Sequence, residues 1–365
     1  MNINMKNNTL IICLSPNRGG MEISSLKLAS KLESYVNIFF LTRKSSFIDS
    51  NLDKYLNNSL NNKFSISFSS NLSIKLIFLI RKIVKSKNIK NVIFFGASEI
   101  KSLYFAFLGL NINFIVRHAT TKLTSKRDFI HKLLYSNVNY HVAISEHLKE
   151  NVKKIVPLNN HCEVKVIYPS IKIENYDFNN ILSSRKRNEK IRIIHTGRII
   201  KGKGQLDAIL ACEILYKNNI EFDFFILGSF ENGFEIEFKK VYEKLKYKDS
   251  IHLIGFEKDI FKYLMNSDIF LFPSYGEGFC NSYAEALSCG LYCISYENTT
   301  FIEFKKLGFI NALSKNKDIE LLKDELYKAV FFISSNDTYR QKNLDLAKHL
   351  FSVDSEVNGY LKLLK

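Results

Sequence analysis

The chain has 365 residues, 46% of them hydrophobic and 13% aromatic, which is more than one ordinary core needs and enough for two. Its formal net charge of +16 is lopsided: residues 1–170 hold 24 Lys+Arg against 9 Asp+Glu, and residues 171–365 hold 28 against 27. No apolar run approaches the ~18 residues of a membrane span, no signal peptide is read, and six cysteines without a C-x2-C pair read as buried thiols. Membrane-spanning, zinc and disulfide-scaffold classes are therefore set aside in favour of a cytoplasmic two-domain protein.

In chain order, residues 10–14 (LIICL) form an apolar run of strand length, followed by Pro16 and a glycine-rich turn at residues 18–22 (RGGME). Farther on, Lys75, Arg81, Lys82, Lys85, Lys87 and Lys90 surround apolar Leu72, Leu76, Leu79, Ile80 and Ile83, the pattern of a basic amphipathic helix. Lys122, Lys126, Arg127 and Lys132 make a second cationic cluster. Two readings stand for this charge: a solvated face on a core-packed helix, or a surface drawn to an anionic membrane or a lipid diphosphate. Nucleic acid is set aside, because no recognition motif accompanies the charge. His118 follows an apparent strand in IVRHATT, where a histidine is either structural or part of a site.

The second half carries two motifs. Residues 191–195 read as a buried strand and residues 205–216 as a helix, with Leu206, Ile209, Leu210 and Ile214 at helical spacing. Between them lies a cationic turn in which Arg198 and Lys203 are five apart, and Gly202 and Gly204 let backbone approach a ligand. Such a turn is either a basic loop or a place where two cations hold a diphosphate. Residues 268–273 (DIFLFP) read as a strand closed by Pro273, with residues 274–279 as loop and Asn281 as the cap of a following helix. Glu277 in that loop and Glu285 in that helix are eight apart. A capping residue plus a solvated helix residue is one reading. A glycosidase pair is another, but eight helical residues rise about 12 Å, too far for the roughly 5 Å retaining pair. Two contacts to one elongated ligand fit better, because a strand end feeding a helix N-terminus suits phosphate.

The order G-R-x4-K-G (Gly197, Arg198, Lys203, Gly204), then E-G-F-x-N with E-x7-E, resembles the retaining glycosyltransferases of family 4. Residues 222–230 (FDFFILGSF) and 251–256 (IHLIGF) follow that family's strand order. The 18–22 turn resembles its G-G-x-E loop, and residues 142–149 (VAISEHLK) and 166–171 (VIYPSI) resemble its inter-domain landmarks. The resemblance implies the α/β GT-B fold: two Rossmann-like doubly wound domains facing a central cleft, at about residues 1–165 and 170–340. A C-terminal stretch, 341–365, would return to the first domain. It implies an enzyme that is cytoplasmic or peripheral on the cytoplasmic face of the inner membrane, and that moves a sugar from a UDP- or GDP-linked donor to an oligosaccharide or lipid-linked acceptor. The setting would be bacterial surface polysaccharide: O-antigen, capsule or lipopolysaccharide.

By the same resemblance Arg198 and Lys203 take the donor phosphates, Glu285 the ribose, and Glu277 with Gly278, Phe279, Cys280 and Asn281 the donor sugar. Gly19 and Gly20 would lie against the diphosphate, and His118 matches the family's first-domain histidine approximately. No cofactor or metal is expected, since no D-x-D occurs. Two departures stand out. Cys280 replaces the usual proline, which is expected to alter loop stiffness only. Asn298, Thr299 and Thr300 stand before Glu303 where a Gly-Gly pair is common. A non-catalytic glycan- or partner-binding member, or a nucleotide-sugar epimerase or hydrolase, are the alternatives.

Overall fold

The computed structural model describes residues 7–57, 62–171, 190–231, 233–336 and 338–364. The chain divides into two units, Met1–Pro169 with Val353–Lys365, and Ser170–Ser352. The first unit has strands Asn8–Cys13 (β1), Asn37–Arg43 (β2), Lys63–Ile66 (β3), Asn91–Phe95 (β4), Asn113–His118 (β5), Tyr140–Ala143 (β6) and Glu163–Val166 (β7). They form one parallel sheet in the order β3-β2-β1-β4-β5-β6-β7. The central strands β1, β4 and β5 are buried along nearly their whole length and mostly apolar because helices cover both faces. Side chains alternate between those faces. Leu10 and Ile12 join the cluster that holds Leu76, Ile80 and Leu103, while Ile11 and Cys13 join Leu26, Leu28, Tyr360 and Val357 on the other side.

The second unit repeats the plan with Ile191–Thr196 (β8), Phe222–Leu227 (β9), Ile251–Gly255 (β10), Ile269–Leu271 (β11), Tyr292–Tyr296 (β12) and Asn311–Ser314 (β13). Their parallel order is β10-β9-β8-β11-β12-β13. In each sheet the chain winds one way and then reverses, so each has a switch point: between β1 and β4 in the first, between β8 and β11 in the second. Open parallel sheets bind ligands at such points, outside the carboxyl ends of the strands.

The return to the first unit begins at Val353 rather than at 341. The helix Thr338–Leu350 stays with the second unit because Asn343 on it accepts from Ile310 N at 2.8 Å and donates to the Leu291 carbonyl at 3.3 Å. The helix Val353–Leu361 is then tied to the first unit by the Lys31–Glu356 ion pair at 2.7 Å, and Asn113 donates to the Leu363 carbonyl at 2.7 Å.

Candidate functional site

Both second-half motifs leave the switch point of the second sheet, one after β8 and one after β11. They are pressed together backbone on backbone. Gly204 has φ +73°, and a Cβ there would lie 2.0 Å from the Pro273 carbonyl oxygen, so only glycine fits. Tyr275 N donates to the Gly202 carbonyl at 3.0 Å. Lys203 Nζ donates to Glu277 Oε1 at 2.6 Å, and Ser274 Oγ lies 2.7 Å from the same oxygen. Both ions of this pair are largely shielded, with the lysine side chain 22% and the glutamate 13% exposed. Glu277 is thus fixed from two sides.

A third segment clamps the same loop. Glu277 N donates to Thr299 Oγ1 at 3.3 Å, Thr300 Oγ1 donates to the Gly278 carbonyl at 2.8 Å, and Asn298 Nδ2 donates to the Ser274 carbonyl at 2.6 Å. Thr299 has φ +30°. A β-branched residue in the left-handed region is rare and strained, and persists when its surroundings over-determine it. From beneath, Asp207 accepts from Tyr296 at 2.7 Å and from Tyr275 at 3.2 Å. Burial and the Asp207 carboxylate push the Tyr275 hydroxyl up to about 12, so it remains a donor at neutral pH.

Arg198 belongs to a neighbouring feature. Its guanidinium pairs with Glu231 at 3.0 Å, and it lines a cavity of about 400 Å³ together with Gly197, Gly228, Phe256 and Ser282. Pockets of that size take small organic ligands. Ser282 sits in the first turn of the helix Asn281–Ser288, and so this helix start opens on the cavity. Glu285 is half-buried in the same helix. Phe279 is buried and packs edge-on against Phe304 and Phe351, which fixes the loop's far end.

Several expectations need correction. The strand expected over 268–273 is the shorter Ile269–Leu271. The helix expected over 205–216 is broken at Cys212, leaving Gln205–Ala211 and Glu213–Lys217. Asn281 is the first helical residue and not the cap. Cys280 occupies the cap position with φ +60° and makes no side-chain cap bond, having already turned the chain into the helix. Proline, fixed near −65°, cannot adopt that backbone, so the departure at 280 changes the path of the loop as well as its stiffness.

Gly19, Gly20 and His118 lie in the first unit. Gly19 precedes the helix Gly20–Leu32, close to the buried Glu22. His118 ends β5 with its ring buried, and its Nε2 lies 2.8 Å from His141 Nδ1. Burial holds the His118 imidazole well below its ordinary range and brings His141 down to about 3, so both are neutral at pH 7. His141, Ser274, Phe256 and Glu231 were not singled out from sequence. Only Ser274 carried a signal, its place in the loop beside Glu277.

Residues 178–351 match the family model described as glycosyl transferases group 1. A capsular polysaccharide biosynthesis glycosyltransferase, CapM, of Staphylococcus aureus is 24% identical over 60% of this chain and 62% of its own. An uncharacterized glycosyltransferase of Methanocaldococcus jannaschii is 28% identical over 63% of this chain and 54% of its own. The chain thus spans little more than half the length of these relatives. The crystal structure of Anabaena HepE in complex with UDP superposes with a TM-score of 0.77 at 14% identity, covering 98% of each chain. The fold is GT-B. Both motif loops fall inside the residues that the family model matches.

Proposed function

We propose that the chain is a retaining glycosyltransferase of family 4. It moves a sugar from a UDP- or GDP-linked donor to an oligosaccharide or lipid-linked acceptor in bacterial surface polysaccharide synthesis. The observation that carries this reading is the pair of stitched loops at the second switch point, where a shielded Lys203–Glu277 pair adjoins a helix start and a cavity lined by Arg198. The departing diphosphate develops charge, and preorganised cations with helix N-terminal amides stabilise it where it forms. Arg198 offers a planar fork for two phosphate oxygens, and Lys203 a point charge already held in place. With these two cations on the diphosphate, no bridging metal is required. Glu277 faces the donor sugar and Glu285 the ribose. Retention follows if the acceptor attacks from the face the diphosphate leaves.

The two glutamates test these roles. Glu277→Gln should cut turnover more than donor affinity, and Glu285→Gln should mainly weaken nucleotide binding. Steady-state kinetics beside nucleotide titration separates the two, and equal losses in one parameter for both variants would contradict the assignment. EDTA should leave activity intact. Activity lost to EDTA and restored by Mn²⁺ would overturn the metal-free part.

A further inference from the structure

The first unit carries exposed apolar side chains that its core does not use. In the helix Ile74–Ser86, Leu76, Ile80, Ile83 and Val84 are buried, while Ile74 and Phe78 are 70% and 69% exposed. Lys75, Lys82 and Lys85 share their face at i, i+3 and i+4 spacing. Two other basic residues of this stretch are otherwise engaged. Arg81 donates to the carbonyls of Ala106 and Leu108, closing the C-terminus of the helix Ile100–Phe107, and Lys87 lies over the Phe39 ring. Helix Ile74–Ser86 packs on Ile100–Phe107, which touches Phe129–Leu134, where Phe129 and Ile130 are 81% and 63% exposed. Beside that helix Arg127, Lys132, Pro157, Leu158 and Asn159 line a groove of about 490 Å³.

We infer that this face, Ile74, Phe78, Phe129 and Ile130 set among Lys75, Lys82, Lys85 and Lys132, docks on an anionic lipid bilayer. The apolar side chains enter the acyl boundary and the ammonium groups meet lipid phosphates. Charge decides the occupant. Residues 71–134 hold 12 Lys+Arg and two acids, Glu99 and Asp128, and Asp128 is engaged in accepting from His131 N. A second copy of the chain would bring the same positive face and be repelled. Protein interfaces shed lysine from their apolar centres, whereas here lysine and apolar side chains alternate along one helix face, as in interfacial helices. The inference does not depend on glycosyl transfer.

The full chain should co-sediment with phosphatidylcholine vesicles containing one quarter phosphatidylglycerol, and not with phosphatidylcholine alone. Lys75→Glu/Lys82→Glu/Lys85→Glu should weaken binding about a hundredfold or more at low salt, since each basic residue near the surface contributes about fivefold. Phe78→Ser/Phe129→Ser/Ile130→Ser should still bind at low salt but lose the fraction that wild type retains at high salt, where charge is screened. All changes are on exposed positions, and unaltered circular dichroism and unaltered titration of UDP and GDP would show that fold and nucleotide site persist. Absence of wild-type binding, equal partitioning of wild type and the lysine variant at low salt, equal partitioning of wild type and the apolar variant at high salt, or a wild-type dimer abolished by the same changes would overturn the inference.

Discussion

Arg198 and Lys203 carry the same charge and the same proposed task, yet the structure gives them different stability roles. Arg198 is 64% exposed and pairs with a partly exposed Glu231, so Arg198→Ala should shift stability by no more than about 0.5 kcal/mol. Removing Lys203 leaves Glu277 shielded without its ion pair, and Lys203→Ala should cost about 1–3 kcal/mol. Urea unfolding separates them, and equal losses would contradict the shielded pair. The buried histidines set a pH dependence. His118, His141 and His195 are all held below their ordinary value of 6.5 by burial, the last two down to about 3. A base whose folded pKa is depressed favours the folded state when neutral. Stability is therefore whole above about pH 6.5 and drains as pH falls toward 3, by about 1.4 kcal/mol per unit for each histidine that stays neutral. Urea midpoints at pH 7.5 and 5.5 should differ accordingly, and His141→Asn should flatten the slope.

At the scale of elements, the loops decide the site. Thr299→Gly removes a hydroxyl that accepts from Glu277 N but relieves a left-handed β-branched residue, whereas Thr299→Ala loses the hydroxyl and keeps most of the strain. The alanine variant should be less stable by roughly 1 kcal/mol, measured by thermal unfolding. Cys280→Pro should be destabilising by about 3 kcal/mol or more at φ +60°, while Cys280→Gly should be nearly neutral. These loops also mark the limit of what sequence could tell. β8, β11 and the need for glycine at 204 were legible, since apolar runs and glycine spacing are local signals, but Gly204 admits the Pro273 carbonyl rather than a ligand, and the Lys203–Glu277 pair, 74 residues apart, gave no sign. The Asn298–Thr300 clamp was visible only as a departure from a Gly-Gly pair, because its hydrogen bonds reach back 22 to 24 residues. The turn at Cys280 is not legible, since nothing in a cysteine announces positive φ. The basic stretch predicts an amphipathic helix with a cationic face, but Arg81 closes the helix Ile100–Phe107 and Lys87 lies over the Phe39 ring. Ile74 and Phe78, the exposed apolar pair, could not be told from core by periodicity alone.

Across the whole molecule, each unit has its own sheet and core, and the chain's last helix belongs to the first. Deleting residues 353–364 strips Val357, Tyr360 and Leu363 from that core and removes Glu356, which pairs with Lys31, and the Leu363 carbonyl, which accepts from Asn113. The first unit should lose several kcal/mol, on the order of two large-to-small core substitutions, while nucleotide binding by the second unit persists. Melting followed by circular dichroism should then resolve a new, earlier transition, and an unchanged melt would contradict the packing of this helix. The donor-site assignment itself is tested most directly by calorimetric titration of UDP and GDP into wild type, Arg198→Ala and Lys203→Ala. One nucleotide should bind wild type, and each variant should bind it about 10- to 100-fold more weakly, the loss of one charge-assisted contact to phosphate. Affinity unchanged in both variants would contradict a diphosphate held at the second switch point.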